Sequence, residues 1–321
     1  MINKDFYYKC LIKLMIRRYL LLFLMISIWG FSFVLVDIAF QFIPPLSIAL
    51  YRFLIASLTY FVIDTVKWTR FRVSKIEKHN KVKVRYSKND LILIILSSFC
   101  GVSLFFLIQY TSIELVGPTL PALFVCLLSP LFISLLALLF FNENLTMPRI
   151  IGFIISSIGA FFLITGGDIT NLIIGSPNFL GYFLALLTPA LWALYSTFTK
   201  KVSKKRSDMK LNKYVSYFGT FELLIFVLIN NEIKIFLENV FNLFIIFSGV
   251  YLGVGCYVLG YYIWQHSQNT LKSFRVASFL YIEPFLTLVF SIMLQRTDIL
   301  VIWNIIGGII VLVGVMIINY H

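Results

Sequence analysis

Ten apolar runs of about 20 residues each divide this chain, and runs of that length leave little choice of fold. A hydrocarbon core about 30 Å thick is crossed by about 20 residues of helix, each rising about 1.5 Å. The runs lie near 20–38, 45–66, 90–111, 118–141, 149–166, 178–199, 212–231, 241–265, 274–294 and 299–319. Lipid offers no partner to backbone N–H and C=O groups, so each run is expected to satisfy its own as a transmembrane helix. Composition agrees: 60% of the 321 residues are apolar and 13% charged, against roughly 25% charged in a soluble protein. The first run is not expected to be a cleaved signal, because it is long and Val36-Asp37-Ile38-Ala39 lacks the small-x-small cleavage pattern. The expected class is an all-α, multi-pass membrane protein that keeps its N-terminus.

Charge supplies the orientation. The chain has 27 Lys and Arg against 14 Asp and Glu, a formal +13 that would suggest nucleic acid in a soluble protein. With a cytoplasmic N-terminus, 24 of the 27 basic residues fall in connections on that side: residues 1–18, the loop 67–90, Arg149, the segment 200–213, and Lys272 with Arg275. Lys234 and Arg296 face the other side, and Arg52 lies within a span. The positive-inside rule then predicts ten helices with both termini cytoplasmic. The basic stretches from Arg70 to Lys88 and from Lys200 to Arg206 directly follow apolar runs, where anionic headgroups attract each cation by about 1 kcal/mol. Anionic lipid is therefore the expected partner, nucleic acid is not, and the plasma membrane is the expected location. Oligomeric state is left open.

The two halves resemble each other. At an offset of 154, Gly101 falls on Gly255 and Pro130 on Pro284; at 155, Gly152 falls on Gly307, Gly159 on Gly314 and Glu143 on Asp298. Each half holds five spans, an odd number, so the second half inserts upside down relative to the first. The predicted organisation is a basic cytoplasmic segment 1–19, a first five-helix repeat 20–166 carrying the loop 67–90, an extracytoplasmic linker 167–177, and a second repeat 178–319. Inverted repeats are the construction of secondary transporters, with substrate near the midplane between the halves. Gly152, Gly159, Gly307 and Gly314 are expected at close helix contacts, with Pro130 and Pro284 as further architectural positions.

Several segments carry a family likeness. Trp29-Gly30-Phe31-Ser32-Phe33, Pro44-Pro45 with Tyr51-Arg52-Phe53, Leu128-Ser129-Pro130 and Phe141-Asn142-Glu143-Asn144-Leu145-Thr146 fall in the first half; Leu191-Trp192-Ala193-Leu194-Tyr195 and Tyr281-Ile282-Glu283-Pro284 fall in the second. In order and spacing, from residue 20 to 319, the chain resembles the EamA-type family of drug/metabolite transporters. That resemblance implies a ten-helix carrier for amino acids, metabolites or drug-like compounds, with a central cavity. Two departures are visible: Arg296-Thr297-Asp298-Ile299 is a degenerate counterpart of the Phe141-to-Thr146 motif, and the basic loop between spans 2 and 3 is long.

Charges inside the membrane are the first candidates for function, since even the lenient insertion scale sets their cost at about 2.5–3.5 kcal/mol at the bilayer centre. Arg52 lies seven residues after Pro45, Glu222 nine after Lys213, and Glu283 eight after Arg275. Helical rise puts Arg52 about 10 Å from one surface and both carboxylates about 12–14 Å from the other, a gap the long arginine side chain can close. Glu283 or Glu222 is a candidate proton-coupling site or anchor for a substrate ammonium, with Arg52 as partner or carboxylate anchor. The alternative is a structural Arg–Glu pair. Trp29 and Trp192 occupy corresponding places in the first helix of each repeat and are candidate cavity walls; Tyr51, Tyr195, Tyr281, Gln109 and Thr287 could add polar contacts. Gln109 and Tyr110 could instead be solvated near the outer interface. Trp68, Trp264 and Trp303 are expected at the membrane interfaces. Pro284 is expected to free a backbone carbonyl near Leu280.

Other chemistries are poorly supplied. Cys10, Cys100, Cys126 and Cys256 are scattered without a C-x-x-C pair, and His79, His266 and His321 form no ligand pattern. No catalytic group, metal or cofactor is expected, and His266 is the only candidate base for an intramembrane enzyme. The leading expectation is a secondary transporter of a small metabolite, amino acid or drug-like compound, with proton coupling an option. Lys272 and Arg275 keep open an exchanger of phosphorylated or nucleotide sugars. A channel or structural assembly protein is the reading from another class.

Overall fold

Where the structure describes them, the apolar runs lie mainly in helices, and polar residues at the run boundaries explain several of the ends. The computed structural model describes residues 4–73, 86–116, 119–142, 146–167, 179–204, 207–294 and 302–320. Its helices are α1 (Lys4–Ala39), α2 (Pro45–Val73), α3 (88–116), α4 (Thr119–Phe141), α5 (Met147–Thr165), α6 (Phe179–Ser203), α7 (Asp208–Ile229), α8 (Ile233–Asn239), α9 (243–270), α10 (273–293) and α11 (Ile302–Tyr320). No strand occurs among the described residues. Ser87 caps α3 in a reciprocal box: its hydroxyl accepts from the Asp90 N–H while the Asp90 carboxylate accepts from the Ser87 N–H. Asn242 accepts the first free N–H groups of α9. Gly166, at φ 63°, ends α5 in the left-handed conformation that suits glycine.

Seven helical segments among the described residues are long and apolar enough to cross a membrane, and two shorter apolar helices lie at Met147–Phe162 and Ile305–Tyr320. Large apolar side chains face outward on several of them, Leu20, Leu139, Phe221 and Ile309 among them. In water such a surface would be an aggregation liability, whereas lipid solvates it.

Three helices depart from regular α winding. α3 is π-helical over Phe99–Ser103 and α9 over Tyr251–Tyr261, while α10 is 3₁₀ over Ser278–Ile282 before Glu283–Met293. Gly101 and Gly255, paired by the sequence repeat, sit in the two π-helical segments. Each segment also packs on the first helix of the other half: α1 against α9 and α6 against α3. Pairing across halves recurs where α5 and α11 cross. A Cβ on Gly152 would meet the Gly314 carbonyl at 3.0 Å, and one on Gly159 the Gly307 carbonyl at 2.8 Å. The paired numbers rise on one helix as they fall on the other, so the two helices run antiparallel.

Some expectations change. α1 begins far before residue 20, because the basic N-terminal segment continues the same helix. α8 occupies the connection expected to be a loop. The carbonyl of Leu280 is not free: the Glu283 N–H bonds to it in the tighter winding ahead of Pro284. Outside the described residues lie 74–85 of the basic loop, Glu143, Asn144 and Leu145, the linker from 168 onward, Lys205, Arg206, His321, and 295–301 with Arg296, Thr297, Asp298 and Ile299. The Glu143–Asp298 correspondence therefore falls there too, as do the side chains of Cys10 and Trp68.

Candidate functional site

A cavity of about 80 Å³, open to solvent on one side, lies between the two halves. α1 contributes Trp29, Ser32, Asp37 and Phe40; α2 contributes Arg52; α3 adds Phe105, Phe106, Gln109 and Tyr110; Trp192 comes from α6, Tyr261 from α9, and Leu280 with Glu283 from α10. The wall climbs α1 toward half-exposed Asp37 and Phe40, next to the α1–α2 turn. At the opposite end the way is shut by fully buried Tyr195, Tyr257, Trp264 and Phe274. The cavity is blind at the end where α2, α6 and α9 finish.

Aromatic rings form its floor. Trp29 and Trp192 meet edge to face at 5.4 Å, and Trp264 lies 5.8 Å from Trp29 and 5.5 Å from Trp192. Trp264 is thus a buried member of the plug, with its indole N–H donating to Ser196 Oγ at 3.2 Å, which corrects its expected interfacial position. The reason is that α9 continues past the expected end of its apolar run, to Thr270, which leaves Trp264 more than a turn inside. Gln109 and Tyr110 are each 4% exposed and belong to the wall, so they too are not solvated at an interface. The Gly260 backbone lets Trp29 come close: a Cβ there would stand 2.6 Å from the indole nitrogen.

Arg52 is 5% exposed. Its guanidinium lies 4.7 Å from the Phe106 ring centre and 6.0 Å from that of Tyr261, contacts worth up to about 2 kcal/mol each when desolvated. The Tyr110 ring stands beside it in the same cavity wall, and its Nε has no partner among the described residues. Glu283 is 4% exposed, and its carboxylate takes part in no hydrogen bond or ion pair among the described residues. The structural Arg–Glu pair is accordingly absent among these residues. α1 approaches Glu283 through Gly30, where a Cβ would lie 3.3 Å from the Glu283 carbonyl, and Thr287 Oγ1 donates to the Gly30 carbonyl at 3.1 Å.

The other candidates lie elsewhere. Glu222 on α7 faces α3 at its π-helical segment, where Ser98 Oγ, just before the segment, donates to one carboxylate oxygen at 2.8 Å and Ser103 Oγ, at its end, to the other at 2.5 Å. Tyr51 donates to the Val240 carbonyl at 2.9 Å and packs on Gly249. Tyr195 accepts from Gln265 Nε2 at 2.9 Å beneath Trp192. Tyr281 lies 3.0 Å from Ser157 Oγ. The structure therefore gathers Arg52, Glu283, Trp29 and Trp192 at one cavity, and Glu222, Tyr51, Tyr195 and Tyr281 at helix contacts around it. Sequence reasoning passed over Asp37, Phe105, Phe106 and Tyr261. Asp37, an acidic residue in the last turn of the first run, was the legible signal among them.

The family model for EamA-like transporters matches residues 16–165 and 179–320. The chain belongs to the EamA-like transporter family. The two matched stretches also divide it where the sequence repeat does. Relatives of this EamA-like protein include an uncharacterized transporter of Archaeoglobus fulgidus, 26% identical over 302 residues covering 93% of this chain and 96% of that one. The uncharacterized transporter YyaM of Bacillus subtilis is 24% identical and covers 89% of this chain and 88% of its own. A crystal structure of a protein with 15% identity superposes with a TM-score of 0.70 over 95% of this chain and 96% of that chain, which establishes a shared fold. Family and apolar helices together make the chain an integral, multi-pass membrane protein.

Proposed function

We propose that the chain is a secondary transporter that moves a small metabolite, amino acid or drug-like solute by alternating access, through ten spans in two inverted five-helix repeats with both termini cytoplasmic. The observation that carries this reading is the cavity itself: blind at one end, it holds Arg52 and Glu283 from opposite halves, buried and without an ion pair between them. Two buried charges left apart cost stability that a purely structural role would recover by pairing them. The π-helical segments in α3 and α9 and the antiparallel α5–α11 crossing support the repeat. In the charge-derived orientation the cavity faces the extracytoplasmic side. Glu283 is the candidate proton-coupling group, Arg52 the candidate anchor for a negative group, and Trp29 and Trp192 the aromatic floor.

The sugar-phosphate alternative has less support. Lys272 and Arg275 flank Phe274 at 5.9 and 6.0 Å, at the shut end, and line no part of the cavity. Anionic lipids remain the expected partners of the basic connections. The test is counterflow in proteoliposomes: an internal excess of unlabelled solute drives transient accumulation of labelled solute through a carrier. Linear, non-saturating flux would favour a channel, and absence of flux and binding across a broad solute panel would favour a structural protein.

A further inference from the structure

Glu222 lies outside the cavity, within the span of α7, and is half-buried. Its neighbours on the outer surface of that helix, Phe221 and Ile225, are 63% and 40% exposed, so the medium beside it is hydrocarbon. α7 comes close to α3 here: a Cβ on Gly219, one turn before Glu222, would stand 2.5 Å from Val102 Cγ1 in the π-helical segment. No basic residue pairs with Glu222 among the described residues. Arg52 sits over Phe106, Lys213 is taken by Asp64, Lys200 donates to Ser273, and Asp208 and His266 meet at the shut end. Cys100 is the titratable neighbour on α3. An ionised carboxylate in such a medium without a counter-ion is costly, and taking up a proton removes the charge.

The two serines are placed to serve either state of that carboxyl. Each hydroxyl has one hydrogen and two acceptors within reach. Ser98 Oγ lies 2.8 Å from Glu222 Oε1 and 2.8 Å from the Ile95 carbonyl. Ser103 Oγ lies 2.5 Å from Glu222 Oε2 and 3.4 Å from the Phe99 carbonyl. With Glu222 ionised, both hydrogens point to the carboxylate. With Glu222 protonated, its own O–H donates to a serine oxygen, and the serine hydrogens turn to Ile95 and Phe99. The Phe99 carbonyl also accepts the Leu104 N–H, the i→i+5 bond that closes the π winding. That segment carries Gly101, where a Cβ would come within 2.2 Å of the ring of Tyr195 in the plug.

We propose that Glu222, Ser98 and Ser103 form a protonation site outside the cavity, which takes a proton from the aqueous phase and acts on the plug through the π-helical segment of α3. Ionised, the site holds that segment against Tyr195 and keeps the end shut. Protonated, it hands the Ser103 hydrogen to the Phe99 carbonyl, loosens the Leu104 bond and lets the plug part. Only an O–H bond forms or breaks, and the proton returns to water when the carboxylate forms again. The site needs no solute and so goes beyond the transporter reading.

The test begins with dicyclohexylcarbodiimide, which reacts from lipid with protonated carboxyls, applied to the full chain in lipid vesicles over an acid-to-alkaline series. Labelling of Glu222, read by mass spectrometry, is expected to fall at least fivefold from the acid to the alkaline end. Glu283→Gln should leave that fall unchanged, and Ser103→Ala should move its midpoint. The second readout is the plug: Ser196→Cys, in a chain whose native cysteines are replaced by alanine, is treated with impermeant maleimide from the cytoplasmic face. Each rate is divided by that of the denatured chain at the same pH. The corrected rate is expected to rise at least fivefold with acid when Glu222 is present, and to stay high at every pH in Glu222→Gln. Labelling of Glu222 that is absent, or equal at every pH, overturns the site. Protection of Glu222 by sodium at fixed pH would give the site to a metal cation and overturns the proton. A plug rate that follows pH equally in Glu222→Gln overturns the link to the plug. The wild-type labelling decides the matter even where a variant fails to fold, and since neither readout uses transport, the site and the transporter reading fail separately.

Discussion

Arg52 and Glu283 line one cavity from opposite halves of the chain, 5% and 4% exposed, and form no ion pair with each other. A carboxylate and a guanidinium buried without a counter-ion among the described residues are costly unless a solute or proton meets them in turn. Glu283→Gln keeps the shape and removes the titration. Flux through this variant should lose its dependence on pH while exchange of solute for solute continues. pH-dependent uptake that survives the substitution intact would remove Glu283 as the coupling group.

Arg52 combines charge with a flat face on Phe106. Lysine preserves the charge and loses both the stacking and the fork of donors. Arg52→Lys should raise the half-saturating solute concentration about tenfold, equivalent to about 1.4 kcal/mol, with folded yield near wild type. An unchanged value would mean that only the charge matters there.

The α5–α11 crossing depends on absent side chains. A Cβ on Gly159 would meet the Val311 backbone nitrogen at 2.6 Å and the Gly307 carbonyl at 2.8 Å, whereas one on Gly255 would find its nearest neighbour, Ile28 Cγ2, at 3.7 Å. Gly159→Ala should destabilise by about 1–3 kcal/mol through overpacking, seen as a lower melting temperature in detergent. Gly255→Ala should melt as the wild type does. Equal effects from the two substitutions would contradict the crossing as described.

The shut end is tied by Asp208, whose carboxylate accepts from Asn269 Nδ2 at 2.9 Å and from Ser203 Oγ, and approaches His266 Nδ1 at 3.4 Å. These bonds join the ends of α6 and α9 to the start of α7. Asp208→Ala removes a half-buried acceptor from two donors, a loss of about 1 kcal/mol. A cysteine replacing Ser196 beneath the aromatic plug should then react at least fivefold faster with a thiol reagent applied from that end. No change in rate would show that the plug alone holds the closure.

Helix existence was legible in the sequence because length and apolarity decide it, and the glycine pairs because close backbone contact tolerates little else. Boundaries were less so: nothing in composition distinguishes a helix that stops at residue 265 from one that runs to 270, and that difference moved Trp264 from an interface to the core. Glu222 and Glu283 look alike by depth. Only the fold reveals that two serines on α3 bind the first while no described side chain binds the second. The π-helical segments were invisible, since their glycines serve equally well in ordinary packing.

Sided cysteine labelling tests the transport reading most directly. Ser32 lines the cavity and Ser196 lies beneath the plug; each is changed to cysteine in a chain whose four native cysteines are replaced by alanine, and membrane-impermeant maleimide is applied to one face of sealed vesicles at a time. Alternating access predicts that Ser32→Cys reacts from the extracytoplasmic face, that Ser196→Cys reacts from the cytoplasmic face, and that any condition slowing one speeds the other. Simultaneous reaction of both from a single face, with rates that rise and fall together, would contradict it.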